Sequence, residues 1–241
     1  MEIVLKGVKI NYISYGQGKD ILLLHGWGQN IEMMKQVGDG LKDDYRITIL
    51  DLPGFGKSEE PKEAWTLEDY NEMIEEFVEK LKLKDLTIVG HSFGGRIGTI
   101  YASKNKLYRL VLLSSPMIKK KSGNGLKQKV LKFLKKVPLL NKTEGFFKKR
   151  MGSTDYRNAS DMMRKILVNT VNTDLLEYAK KIKCPVFFIG GDNDPMVPLY
   201  EVEEIEKSIK NCGVAIYTGM DHYAYLEDLY RTINIIKSFL K

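Results

Sequence analysis

Apolar positions along the chain follow two rhythms. The first is the short unbroken run. EIVLK and KINYISY read as two strands of a hairpin joined at Gly7. DILLLHG is an apolar run ending in His-Gly, and YRITILDLPGFG is a strand entering a Pro-Gly loop. LTIVGHS, RLVLLSS, PVFFIGG and VAIYTG predict four further strands. The second rhythm recurs every three or four residues. WTLEDYNEMIEEFVEKL sets Leu67, Tyr70, Ile74, Phe77, Val78 and Leu81 on one helical stripe, with Thr66 as its N-cap. Helices are also predicted from Gly94 to about Ser103 and over roughly Asp228 to Leu240.

Strands that are apolar without alternation are buried on both faces. Alternating with helices, they predict an α/β fold with a parallel sheet covered on both sides. Ligands of such sheets bind at the carboxyl ends of the strands. The N-terminus, MEIVLKGVKINYISYG, alternates like a strand and has no basic stretch leading into a long apolar run, so no signal peptide is predicted. No apolar run approaches the roughly 18 residues of a membrane span.

Composition changes the picture in one place. The 241 residues, 43% of them hydrophobic, suit one α/β domain with an insertion, support a real core and argue against disorder. The net charge of +7 is unevenly spread: Met117 to Lys183 holds 18 Lys/Arg against 5 Asp/Glu, a net of +13, which leaves −6 on the rest. Such a shift marks an inserted subdomain, with a core over 1–116 and 184–241 and an insertion over 117–183. Inside it, GLKQKVLKFLKKVPLL sets Leu126, Val130, Leu131, Leu134 and Val137 at helical spacing. Lys127, Lys129, Lys132, Lys135 and Lys136 lie between them, and Pro138 ends the helix. The apolar stripe is expected to face a cleft and the lysines to face out. No nucleic-acid partner is expected, because no helix-turn-helix, RNA-binding or zinc signature accompanies the charge. Cys184 and Cys212 lack metal-ligand spacing and read as free thiols of a cytosolic protein.

The candidate chemistry sits at strand ends. In GHSFGG, Ser92 lies between Gly90 and Gly94, after a strand and before a helix. A sharp strand-to-helix turn there strains the serine and brings backbone so close that side chains at 90 and 94 would clash. The turn exposes the hydroxyl beside a helix N-terminus. A serine nucleophile needs a base, and the chain has three histidines. His91 adjoins Ser92 but points the wrong way round the turn, as a packing or hydrogen-bonding residue. His25 precedes a glycine at a strand end. His222 follows the last strand, where a base is best placed. The base needs an orienting acid, and Asp192 and Asp194 in GGDNDPMVP are both available. In LLLHGWG, Gly26 and Gly28 leave the Trp27 N–H free to turn toward developing negative charge, together with the Phe93 N–H.

HGWG, DLPGFGKS, GHSFGG, GDNDPMVP and GMDHYAYLE, in this order and spacing, resemble the α/β-hydrolase superfamily over nearly the whole chain. The order Ser, Asp, His is that of this superfamily and not of chymotrypsin or subtilisin. The resemblance implies a mostly parallel eight-stranded sheet flanked by helices, with the basic insertion as a helical cap. It implies Ser92 as nucleophile, Asp194 rather than Asp192 as acid, and His222 as base. Trp27 and Phe93 then form the oxyanion hole, with His25, Gly26, Gly28 and His91 as pocket or support. Asp51 is implied to order a loop. Neither cofactor nor metal is implied. Within the superfamily the strings are similar to small bacterial carboxylesterases, the carrier-protein methyl ester esterases of biotin synthesis among them. A serine at 92 argues against haloalkane dehalogenase. The expected activity is carboxylic ester hydrolysis through an acyl-enzyme on a small-molecule ester. Narrower alternatives are a carrier-protein-dependent methyl esterase or a monoacylglycerol-type lipase, with an acyl carrier protein or anionic surface at the basic cap. From a different class, some members of this fold serve as ligand receptors or regulatory partners.

Overall fold

A computed structural model describes residues 1–119 and 160–241. The predicted lysine-rich helix over 126–137 lies outside the described residues.

Eight strands form one sheet: β1 (Glu2–Leu5), β2 (Val8–Tyr15), β3 (Lys19–Leu24), β4 (Tyr45–Leu50), β5 (Thr87–His91), β6 (Arg109–Leu113), β7 (Val186–Gly191) and β8 (Cys212–Tyr217). Their order is β1-β2-β4-β3-β5-β6-β7-β8. β1 and β2 form the predicted hairpin, and β2 also pairs antiparallel with β4. Every later pairing is parallel.

The unbroken apolar runs have the expected cause. Leu22 and Leu24 of β3 join one hydrophobic layer, and Ile21 and Leu23 join the other. Ile88, Leu110, Leu112 and Phe188 extend the first layer, and Val89, Val111, Leu113 and Ile189 extend the second. Helices α2 (Leu67–Leu81) and α3 (Phe93–Lys104) cover the first face through Tyr70, Ile74, Phe77, Ile97 and Ile100. Helix α1 (Ile31–Leu41) covers the second with Met34, Val37 and Leu41.

Thr66 caps α2 as predicted and does more. Its hydroxyl accepts from the Asp69 amide while the Asp69 carboxylate accepts from the Thr66 amide, a full capping box. Beyond residue 160 come α4 (Asp161–Val171) and α5 (Leu176–Ala179), both within the expected insertion, then α6 (Leu199–Ser208) and α7 (Ala224–Glu227). The last helix, α8 (Leu229–Leu240), starts one residue later than predicted, because Asp228 is its N-cap and accepts from the Arg231 amide at 3.1 Å. Ile236 and Leu240 of α8 pack on the α1 side of the sheet. Among the described residues no helix is long and apolar enough to cross a membrane.

Cys212 opens β8 rather than preceding it, and Cys184 lies two residues before β7. Both thiols are free. Burial pushes the Cys184 thiol up to about 11 and, with the Glu206 charge, the Cys212 thiol up to about 12, so neither is a reactive thiolate at neutral pH.

Candidate active site

Every sequence-predicted site residue lies at or just beyond the carboxyl end of a strand. Ser92 follows β5 and caps α3, with φ +48° and ψ −107°. That left-handed strain is uncommon for a side-chain-bearing residue. The flanking glycines are required sterically. A Cβ on Gly90 would sit 2.5 Å from the Gly95 nitrogen, and one on Gly94 would run into the Leu24 carbonyl of β3. Gly95, to which the sequence assigned no role, is forced as well, since a Cβ there would overlap the Ser115 hydroxyl.

His222 reaches the serine from the loop after β8. Its Nε2 lies 3.0 Å from Ser92 Oγ. Its Nδ1 lies 2.8 Å from Asp194 Oδ2, on the loop after β7. The other oxygen, Asp194 Oδ1, accepts from the Met196 amide at 2.7 Å and the Val197 amide at 3.1 Å. Asp194 is 4% exposed and His222 8%. Burial pushes the Asp194 carboxyl up, but the His222 hydrogen bond and charge and the two amides outweigh it and hold it below the usual carboxylate range. Asp192 points elsewhere: its Oδ1 accepts from the Gly219 amide at 2.7 Å and so closes the turn after β8. Of the two aspartates, Asp194 is the one hydrogen-bonded to His222.

The segment after β3 lies alongside. Gly28 has φ +71°, in the region that favours glycine. Among the described residues, the backbone amides of Trp27 and Phe93 donate to no protein acceptor. The Trp27 indole stacks edge-on against Phe93 and Phe55, with centroids 5.3 and 4.9 Å apart, which gives the site an aromatic wall. A cleft of about 370 Å³ opens beside it, lined by Trp27, Gly28, Asn30, Phe55, Glu60 and Met163.

His25 is fully buried and has a structural task. Its Nδ1–H donates to the Gly26 carbonyl at 2.7 Å, and Nε2 accepts from the Leu52 amide at 2.9 Å. Burial lowers its pKa to about 4, so the ring is neutral and the tautomer follows from those two partners. Asp51 orders the loop after β4, as the resemblance implied. Its carboxylate accepts from the Ile31 amide at 2.8 Å, the Lys57 amide at 2.9 Å and the Asn11 side chain at 2.7 Å.

Two groups went unread in the sequence. Gln29 Oε1 accepts from the Gly26 amide at 2.8 Å and lies 3.1 Å from His91 Nδ1. Arg96, one turn along α3 from Ser92, is 6% exposed and donates to the carbonyls of Pro116, Thr170 and Thr173. Among the described residues, no cluster of three or more His, Cys, Asp or Glu is placed to hold a metal ion.

A hydroxyl, an imidazole and a carboxylate in one hydrogen-bonded line, beside one unused amide at the start of α3 and another after β3, are groups that can together activate a serine hydroxyl. The comparisons agree with the architecture. A family pattern described as the alpha/beta hydrolase fold matches residues 20–143, just over half of the chain. The pimeloyl-[acyl-carrier protein] methyl ester esterase of Aliivibrio fischeri is 25% identical over 93% of this chain and 95% of its own. A non-heme chloroperoxidase of Kitasatospora aureofaciens is 28% identical over 90% of this chain and 89% of its own. Among solved structures, an esterase from Exiguobacterium antarcticum superposes with a TM-score of 0.84 at 21% identity, covering 99% of this chain and 98% of that one. On the strength of its eight-stranded sheet, its strained turn after β5 and these matches, the chain belongs to the α/β-hydrolase fold family.

Proposed function

We propose that the chain is a serine hydrolase that cleaves carboxylic esters through an acyl-enzyme on Ser92. The observation that carries this reading is the unbroken line Ser92 Oγ, His222, Asp194, with contacts of 3.0 and 2.8 Å. Ser92 Oγ attacks the ester carbonyl and passes its proton to His222 Nε2. Asp194 keeps the other ring proton on Nδ1 and stabilises the imidazolium. The carbonyl oxygen gains negative charge and accepts hydrogen bonds from the Trp27 and Phe93 amides. His222 then gives its proton to the leaving alcohol as the C–O bond breaks. A water then gives a proton to the same nitrogen and attacks the acyl carbonyl; the bond to Ser92 Oγ breaks, the acid leaves and His222 returns the proton to Ser92 Oγ.

A fluorophosphonate probe is expected to add once to the chain, on Ser92, and not at all after Ser92→Ala. Adduct mass and peptide mapping decide the matter, and labelling at a different serine would overturn the assignment.

The substrate reading is narrower. The carrier-protein esterase among the relatives and the net +13 over 117–183 both favour an ester borne on an acidic carrier. Steering by charge fades as the Debye length shrinks from about 30 Å at 0.01 M salt to about 8 Å at 0.15 M. With one acyl group on a small neutral alcohol and on a carrier protein, added salt is expected to lower kcat/KM for the carrier-bound ester alone. Lys→Gln changes at Lys132, Lys135 and Lys136 should act in the same direction. Equal effects on both substrates would show that the lysines only solvate this segment.

A further inference from the structure

His91 ends β5, next to Ser92, and is fully buried. Neither nitrogen touches the serine. Nδ1 lies 3.1 Å from Gln29 Oε1, and Nε2 lies 3.1 Å from the main-chain carbonyl of His222. Gln29 Oε1 in turn accepts from the Gly26 amide at 2.8 Å. The approach is tight enough that a Cβ on Gly26 would sit 2.7 Å from His91 Nδ1. The rings of Tyr223 and Tyr225 close the remaining sides, with centroids 5.3 and 4.7 Å from that of His91. Three loops, after β3, β5 and β8, thus meet at one imidazole.

The count of donors assigns its proton. Gln29 Oε1 already accepts the Gly26 N–H, so with the ring proton on Nε2 the bare Nδ1 lies against Oε1 at 3.1 Å as a packing contact and not a hydrogen bond. Among the described residues, the His222 carbonyl has no other donor than His91. A buried carbonyl left without a donor is costly, so the single N–H of a neutral ring belongs on Nε2. Burial and the neighbouring His222 hold the His91 ring well below the usual histidine range, so it stays neutral while His222 takes up and returns its proton.

From this geometry we infer that His91 is a positioning residue: its Nε2–H grips the His222 main chain, and its packing against Gly26 and Gln29 holds the Trp27 segment in register with that base. The inference rests on the roles proposed above for His222 and for the Trp27 amide. His91 touches no reacting atom. It fixes the distance between the group that moves the proton and the group that receives the charge.

The test uses three variants of the full chain. The side-chain nitrogen of Gln falls near the place of Nε2, and that of Asn near the place of Nδ1. His91→Phe and His91→Asn are expected to lower kcat about 30-fold, the size of one lost buried hydrogen bond, with KM within about 2-fold. His91→Gln is expected to recover to within about 5-fold of wild type. If His91→Phe fails to fold, the Gln and Asn pair, compared at equal Tm, carries the kinetic test. Nitrogen-15 spectra of histidine-labelled protein resolve its three rings and give a readout independent of turnover. His91 is expected as the Nε2–H tautomer. An Nδ1–H tautomer, or a Gln variant no faster than the Asn variant, would overturn the proposal. Fluorophosphonate labelling of wild-type protein separates the two claims: no label on Ser92 defeats the serine hydrolase reading, while the tautomer still decides whether His91 grips the His222 loop.

Discussion

Asp194→Asn is expected to lower kcat about 10⁴-fold while the fold and Tm stay near wild type. The substitution is nearly isosteric, and the amide oxygen can still accept from the Met196 and Val197 amides that now bind Oδ1. What changes is the group opposite His222 Nδ1. An NH2 there cannot accept, so the ring presents its Nδ1 lone pair and moves its proton to Nε2. The proton then faces Ser92 Oγ across the 3.0 Å contact, and the serine has no base. Asp192→Asn is the matched control. Asp192 accepts from the Gly219 amide, which an amide oxygen also does, so kcat should stay within a few-fold. Steady-state rates on one simple ester, with circular dichroism of each variant, make the comparison. A larger loss at Asp192 would show that the acid has been misassigned.

The largest expected effect on stability lies away from the chemistry. Arg96→Leu should cost about 3–5 kcal/mol, a fall of roughly 10 °C in Tm for a chain of this size. The Arg96 guanidinium donates to the Pro116 carbonyl at 2.8 Å, the Thr170 carbonyl at 2.9 Å and the Thr173 carbonyl at 2.6 Å. Leucine leaves all three without that donor, the buried contact with Thr170 among them. Burial lowers the Arg96 pKa to about 10, against the opposing charges of Glu201 and Asp174, and leaves it protonated at neutral pH. Glu201 completes the arrangement by accepting from the Met117 and Ile118 amides at 2.8 and 2.9 Å. Arg96→Lys should fall between the two, since an ammonium cannot present the planar fork that reaches separate carbonyls. Thermal unfolding of the three proteins, followed by far-UV circular dichroism, is the measurement. An unchanged Tm in Arg96→Leu would mean that the three carbonyls find other donors.

These two residues show what could be read from the sequence and what could not. Ser92 announces itself because its requirements are local: a strand, two glycines and a helix within a few positions. The strands were equally legible, because burial on both faces leaves uninterrupted runs. Helix α1 was not, since Gly38 and Gly40 weaken its pattern, although both face packed neighbours. Helix α6 was hidden by charge: of its ten residues only Glu201, Val202 and Ile205 are buried, and one of those is a carboxylate. Asp194 and Asp192 stand two residues apart in one turn-rich loop, and only the resemblance pointed to Asp194; its contact with His222 spans 28 residues. Gln29 and Arg96 were unreadable for the same reason. Their partners lie 62 and 74 or more residues away in places, and no spacing rule connects them.

The clamp around Arg96 has a consequence for how this fold can vary. The amide of Leu175 donates to the carbonyl of Met117 at 2.8 Å, so the chain that leaves the sheet after β6 comes back to the point of departure. Beside it the Lys119 amide donates to the Asp174 carboxylate at 2.9 Å, so two hydrogen bonds join the ends of the intervening segment and close it as a loop. The entropy of closing such a loop grows only with the logarithm of its length, by about 0.6 kcal/mol for each doubling. A change of length in that segment therefore makes little demand on the strands beneath it, provided Met163 and Ile166 still pack on the core and Arg96 and Glu201 still find the backbone of its two ends.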